Sequence, residues 1–277
     1  MNKMTLEAKI TANSSDERVG PSVLAAKNLY KSYGPSEAVH DVTLELSAGE
    51  IVGLIGDNGA GKSTFIKVLV GVEQPDAGEI WWMGRKTRWA SPADARKQGI
   101  ETVFQDLALC DELSIWRNFF LGREASGWLG GLARMPRRAM RARAVEALKE
   151  YGLSIRSPDL PVKSLSGGER QGVAIVRAAW FGARALVLDE PTAALSVVES
   201  EKVFSAVRSA AARGVPSIVI MHSLAGVMEL ADRVHVLAHG RTVAQFRRGE
   251  LSLKEVEDIV AGRRRYGSEQ VREDGSI

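Results

Sequence analysis

One cysteine, Cys110, in 277 residues rules out an internal disulfide, so the fold rests on packing and hydrogen bonding, as in chains kept in a reducing compartment. As a lone thiol, Cys110 reads as packing and not as chemistry. Long hydrophobic runs are absent too: nowhere do about 18 consecutive apolar residues occur, the length a membrane-spanning helix needs. Any membrane role is then peripheral, through a partner. Charge of one sign is also in short supply, with 37 Lys and Arg against 34 Asp and Glu, a balance too even to mark a dedicated nucleic-acid surface. Residues 1–20 mix Lys3, Lys9, Asp16, Glu17 and Arg18 with small polar residues, lack the apolar stretch of a secretory signal and read as a flexible lead-in. From Gly262 onward, Arg263, Arg264 and Arg265 and the closing Arg272, Glu273, Asp274 and Gly275 carry no apolar periodicity and read as a solvated tail, not a lipid anchor.

What is present is an ordinary globular composition, 45% hydrophobic and 26% charged, enough for one large domain or two small ones. Over residues 23–55 apolar and polar residues alternate, as in Val42, Leu44 and Leu46, before the continuous run Ile51–Ile55. Antiparallel strands leading into a buried strand produce that pattern. Further short apolar runs lie at 80–83, 100–104, 185–188 and 217–221, with helical patterns between several of them. Residues 233–237 and 242–246 flank Ala238-His239-Gly240-Arg241 as the arms of a hairpin. Between Leu107 and Val162 the strand signal vanishes, and residues 137–151 repeat Met140, Ala144, Val145 and Leu148 at helical spacing, which predicts a helical insertion. Its basic residues Arg134, Arg137, Arg138, Arg141 and Arg143 alternate with that apolar stripe and read as a solvated face, not an RNA-binding one. The architecture expected is a mixed α/β sheet with an antiparallel appendage.

Gly56-Asp57-Asn58-Gly59-Ala60-Gly61-Lys62-Ser63-Thr64 fits the phosphate-binding P-loop and sits where one belongs, between the strand Ile51–Ile55 and a helical stretch starting near Lys62. Its glycines let backbone amides converge on phosphates, the helix start adds positive potential, Lys62 reaches the β- and γ-phosphates, and the Ser63 hydroxyl ligates Mg²⁺. The apolar strand Ala185-Leu186-Val187-Leu188 ends in Asp189 and Glu190, delivering two carboxylates to the sheet edge where the phosphates lie. Asp189 suits the Mg²⁺ shell. Glu190, facing the other way on a chain leaving a strand, suits polarising the attacking water. Leu165-Ser166-Gly167-Gly168-Glu169 precedes a long helical run through Phe181 and makes a second anion-attracting helix start.

A P-loop, then Leu165 to Glu169, then Leu188-Asp189-Glu190-Pro191-Thr192, in that order, resembles the ABC (ATP-binding cassette) ATPases. The resemblance spans residues 23–262 or so and implies an α/β fold: a P-loop NTPase core with a mixed parallel sheet, an antiparallel β subdomain and a helical subdomain carrying the signature motif. In that family the signature, here Ser166, Gly167, Gly168 and Glu169, contacts the ATP held by the opposite subunit. Tyr33 in Lys31-Ser32-Tyr33-Gly34 resembles the aromatic residue on which adenine stacks. Gln105 resembles the glutamine that senses Mg²⁺ and the attacking water and links hydrolysis to the membrane partner; His222 resembles the switch histidine that contacts the γ-phosphate. One departure is Ser196, where many members carry an aspartate: serine keeps a hydrogen-bonding group and loses the charge.

Within the class, Ser91-Pro92-Ala93-Asp94-Ala95-Arg96, the stretch 99–109, Phe120-Leu121-Gly122-Arg123-Glu124 and Glu190-Pro191-Thr192-Ala193-Ala194-Leu195 look like the ATP-binding subunits of ribose-, xylose- and fructose-type importers. One P-loop and one signature imply a second copy, or a similar cassette, to complete two sites. The resemblance further implies ATP and Mg²⁺ as cofactors, an integral membrane permease, an extracytoplasmic sugar-binding protein acting indirectly, a peripheral place on the cytoplasmic face of the membrane, and no nucleic-acid partner. The alternative is an exporter ATPase, or a non-transport ABC protein acting on ribosomes or DNA. Tandem cassettes with a charged linker, or a long coiled-coil insertion, would mark the non-transport class, and the sequence has neither. The organisation expected is a lead-in over 1–22, one ATPase domain over 23–262 with the helical subdomain at roughly 107–164, and a tail over 263–277.

Overall fold

Every residue of the apolar run Ile51–Ile55 is buried, which places this strand, β3, at the heart of the larger sheet. The computed structural model describes residues 21–122 and 136–266. Arg123, Glu124 and Arg134, most of the expected lead-in and most of the expected tail lie outside the described residues.

Strands β6 (Ile100–Val103), β7 (Ala185–Asp189), β8 (Ser217–Ile220), β3 and β9 (Arg233–Ala238) run parallel, and β10 (Arg241–Arg247) closes one edge antiparallel, in the order β10-β9-β3-β8-β7-β6. Parallel neighbours need crossovers. Helices α1 (Lys62–Leu69) and α2 (Pro92–Lys97) precede β6; α3 (Ile115–Phe120), α4 (Arg137–Glu150) and α5 (Gly167–Trp180) join β6 to β7; α6 (Val197–Ala212) joins β7 to β8; and α7 (Leu224–Leu230) joins β8 to β9. A last helix, α8 (Leu253–Val260), follows the sheet. The appendage is a second, antiparallel sheet of β1 (Ser22–Tyr33), β2 (Ser36–Ser47), β4 (Ala77–Trp82) and β5 (Arg85–Thr87), ordered β2-β1-β4-β5.

Side chains alternate along a strand, so β3, β7 and β8 feed two cores. Val52, Leu54, Val187, Ile218 and Ile220 pack toward Phe65 and Leu69 of α1 and Leu44 of the smaller sheet. Ile51, Ile55, Leu186, Leu188 and Val219 pack toward Ile175, Val207 and Val227 of α5, α6 and α7. The hairpin expected at 238–241 has a two-residue turn: Ala238 pairs with Arg241, and His239 and Gly240 both take positive φ, 48° and 74°. Positive φ at both central residues is the turn whose twist matches its strands.

The helical insertion is present as α3 and α4, with two details differing from expectation. Val145 points outward, and Ala147 joins Met140, Ala144 and Leu148 on the buried face, because the inward arc of α4 follows 140-144-147-148 instead of 140-144-145-148. Cys110 is exposed and packs into no core; its backbone amide donates to the buried Asn118 side chain at 2.7 Å and its carbonyl accepts from it at 2.9 Å. On α4 Arg141 makes a bidentate pair with Asp159. Beyond α8, Arg263 and Arg264 pair with Asp258 and Glu255 at 2.8 and 2.7 Å.

Candidate functional site

The P-loop leaves the carboxyl end of β3 under two steric constraints. A Cβ on Gly56, at φ 148°, would stand 2.1 Å from the Leu237 carbonyl oxygen, and one on Gly61, at φ 99°, 2.2 Å from the Ala38 carbonyl oxygen. Glycine at each end therefore lets the loop thread between β9 and β2. Helix α1 then begins on Gly61 with no side-chain cap and no acidic residue in its first turn, which leaves its first amides and its positive end to a ligand. Lys62 is 7% exposed, and its ammonium donates to the carbonyls of Gly56 at 2.6 Å and Asp57 at 2.9 Å. Burial pushes its pKa down, against the opposing pull of Glu190, Asp57 and Asp189. Ser63 is exposed and Thr64 half-buried beside it.

Strand order brings the other groups to the same edge. Leu54 of β3 pairs with Ile220 of β8, Ile220 with Asp189 of β7, and Val103 of β6 with Leu188, so the P-loop, His222, the Asp189–Glu190 pair and Gln105 emerge from adjacent strands. Burial, then the like charge of Glu190, raises the Asp189 pKa, while His222, Lys62 and Lys67 oppose the rise. Burial still outweighs these cations at Asp189, so the half-buried carboxylate pair calls for further positive charge. Glu190 keeps the β8 ladder through its amide, 3.0 Å from the Ile220 carbonyl, but turns at φ 51°. Its Oε1 meets His222 Nε2 at 2.6 Å. Gln105 is exposed just past β6. Tyr33, 45% exposed at the end of β1, keeps one ring face toward Lys31 Nζ, 5.6 Å from its centroid.

Ser166 starts α5 with a capping box: its Oγ accepts from the Glu169 amide at 3.3 Å and its amide donates to Glu169 Oε2 at 3.0 Å. The other Glu169 oxygen pairs with Lys202 of α6 at 2.9 Å. The Ser166 amide above all, with Lys202, holds the Glu169 carboxyl below the usual carboxylate range. Its side chain is thereby committed to holding the helix start. Among the described residues no hydrogen bond or ion pair joins residues 166–169 to the P-loop.

Residues 39–193 match the family described as ABC transporter. The chain belongs to the ABC transporter family. It is 40% identical over 238 residues to the xylose/arabinose import ATP-binding protein XylG of Sulfolobus acidocaldarius, a match covering 86% of this chain and 93% of that one. It is 46% identical over 223 residues to the fructose import ATP-binding protein FrcA of Rhizobium meliloti, covering 79% and 86%. Among solved structures it superimposes, with TM-score 0.67 and 26% identity over 83% of this chain and 100% of the other, on a dimeric ATP-binding cassette in a post-hydrolysis state bound to ADP and Pi. The ABC cassette, an ATPase with the expected α/β fold, thus has its P-loop, Asp189, Glu190, His222 and Gln105 on one sheet edge.

Three residues from the start of α6 support the helix start at Ser166. Lys202 and Glu199 brace the signature helix from α6, and Ser196, the departure from aspartate, is the N-cap of α6, its Oγ accepting from the Glu199 amide at 3.3 Å. Ser196-x-x-Glu199 is readable in the sequence as a capping box. Its contact with another helix is not.

Proposed function

We propose that this ABC cassette hydrolyses ATP to energise uptake of a monosaccharide through a partner permease, at the cytoplasmic face of a bacterial membrane. The observation that carries the ATPase part is the convergence of Lys62, Asp189, Glu190 and His222 on the carboxyl edge of adjacent parallel strands. Similarity to import ATP-binding proteins named for xylose/arabinose and fructose supports the sugar. A second cassette, a copy of this chain or a similar one, supplies the opposite signature, a reading supported by the single P-loop and single signature in the sequence and by likeness to a dimeric cassette.

The donor set fits Mg²⁺ with a nucleotide. Mg²⁺ takes one or two protein oxygens alongside phosphate oxygens, and the exposed Ser63 hydroxyl and the Asp189 carboxylate offer such a pair, while among the described residues no cluster of three His, Cys, Asp or Glu forms an all-protein metal cage. Held by Ser63 and Asp189, the ion would supply positive charge against the phosphates. Lys62 trades its two loop carbonyls for phosphate oxygens, the α1 amides cradle the chain of phosphates, and Tyr33 offers its free face to adenine. Glu190 orients and polarises the water, His222 reaches from Glu190 to the γ-phosphate, and Gln105 links the edge to the permease. Ser166, Gly167 and Gly168 receive the phosphate held by the other cassette. An extracytoplasmic binding protein delivers the sugar. The ATPase unit is one domain over 23–262, with the helical subdomain at roughly 107–164 between a lead-in and a tail.

Reconstitution of this chain with its partner membrane permease tests the proposal. ATP-dependent uptake of a labelled pentose or hexose into vesicles, abolished with Lys62→Ala, is the expected result. Association with ribosomes or DNA in place of any permease, or substrate movement outward only, would overturn it.

A further inference from the structure

The signature glycines pack against the protein's own α6 start. A Cβ on Gly168 would stand 2.5 Å from the Glu199 carbonyl oxygen and 2.9 Å from Glu199 Cβ; one on Gly167 would stand 2.6 Å from Leu195 Cδ2 and 3.5 Å from Glu199 Oε1. The first turn of α5 therefore lies flat on the first turn of α6. Glu199 Oε2 accepts from the Ser196 amide at 3.1 Å and the Ser196 hydroxyl at 2.9 Å. Those two donors chiefly, with the amides of Gly168 and Gly167 adding to them, hold its carboxyl below the usual range. One turn further on, Lys202 holds Glu169.

The segment between Glu190 and Ser196 is tightly turned. The Ala193 amide donates to the Glu190 carbonyl at 3.1 Å and the Leu195 amide to the Thr192 carbonyl at 3.2 Å, with Glu190 and Ala194 at φ 51° and 59°. A connector braced in this way passes a displacement of Glu190 to the start of α6, and the close fit of Glu199 on Gly168 passes it to the start of α5. In the two-chain site Glu190 serves one nucleotide and residues 166–168 serve the other, so the connector runs between two sites within one chain.

We propose that Glu199 is a positioning residue that couples the chain's own hydrolytic centre to the signature motif it presents to the other nucleotide. The inference rests on the two-chain reading above. Its carboxylate holds the Gly167 and Gly168 amides in register with the loop that begins at Glu190, so each nucleotide's state is felt at the second site. Loss of the Glu199 acceptor oxygen uncouples the sites without emptying either one.

Wild type, Glu199→Ala and Glu199→Gln, each assembled with the permease, are compared by steady-state ATPase against ATP concentration, and by binding of a labelled ATP analogue to the isolated cassettes. Glu199→Ala is expected to bind the analogue as wild type does, to lose roughly tenfold in turnover and to fall from positive cooperativity to a Hill coefficient of about 1. Glu199→Gln keeps an acceptor oxygen suited to the capping box and is expected to keep cooperativity. Unchanged cooperativity in Glu199→Ala, even with lowered thermal stability, reduces Glu199 to a helix cap and overturns the proposal. Faster turnover in Glu199→Ala overturns it as well, because the carboxylate would then be competing for the amides. A wild type with no cooperativity and no ATP-dependent closure sinks the two-chain reading itself, and this inference with it.

Discussion

Glu190 occupies the left-handed region at φ 51°, where a residue with a Cβ is held at a cost of order 1–3 kcal/mol. The turn lets the chain keep the β8 ladder through its amide while the carboxylate swings to His222, 2.6 Å away. Replacing it by an amide of the same shape separates binding from chemistry: Glu190→Gln is expected to bind Mg·ATP as wild type does and to hydrolyse it about 10²-fold more slowly or worse. Single-turnover hydrolysis beside analogue binding measures both, and near-normal turnover would remove Glu190 from the role of base. A second residue, His235, is a stability determinant. It is fully buried in β9, with Nε2 2.8 Å from Thr242 Oγ1 and Nδ1 without a partner. Burial first, then the charge of Arg233, lowers its pKa from 6.5 to about 4. The unfolded chain therefore binds this proton first: the contribution is whole above pH 6.5 and drains away as pH falls toward 4. Between pH 7 and 5 wild type is expected to lose about 2 kcal/mol more than His235→Val does. Denaturant midpoints at the two pH values test this, and equal losses in both proteins would refute it.

The helices divide by how their first turns are satisfied. Helices α5, α6 and α8 open on serine capping boxes, Ser166 with Glu169, Ser196 with Glu199 and Ser252 with Glu255, whereas α1 opens on Gly61 without a cap. An uncapped start with a glycine loop ahead of it belongs to a ligand; a capped start is stable by itself. Helix α5 is capped and yet carries the signature, because Ser166 takes only its third amide, while Glu199 packs beside its first two residues. The fit of α5 on α6 has no slack: Gly168→Ala places a Cβ 2.5 Å from backbone oxygen, and backbone cannot rotate aside as a side-chain tip does. The variant is expected to lose about 1–3 kcal/mol of stability, read as a lower denaturant midpoint at unchanged slope. An unchanged midpoint would mean that the two helices slide freely on one another.

At the scale of the whole molecule, the proposed two-chain site gives the two helix starts of one chain to different nucleotides, so that on this reading a single cassette is half of each site. Glu190→Gln protein is expected to dimerise when Mg·ATP is added, and the further change Ser166→Arg to block closure by placing bulk and positive charge where a phosphate is to be received. Light scattering across a concentration series reads the mass of each variant, and crosslinks between cassettes in the assembled transporter read closure where isolated cassettes associate weakly. If Ser166→Arg leaves both closure and turnover intact in the transporter, residues 166–168 do not form the second half of the site.

The sequence by itself determined what is local. The strand-to-loop-to-helix passage at residues 51–64, the carboxylates ending β7, the hairpin turn at His239-Gly240 and the capping boxes each depend on neighbours a few residues apart, so their chemistry is written in spacing. Tertiary structure alone decided the contacts between distant segments: Glu190 on His222, Glu199 on Gly168, His235 sealed between strands, and Ala147 inside α4's packed face in place of Val145. These follow from the sheet order β10-β9-β3-β8-β7-β6 and from how deeply one helix settles on another. Sheet order is chosen by which apolar faces the whole chain can bury together, a quantity that no single stretch of residues carries.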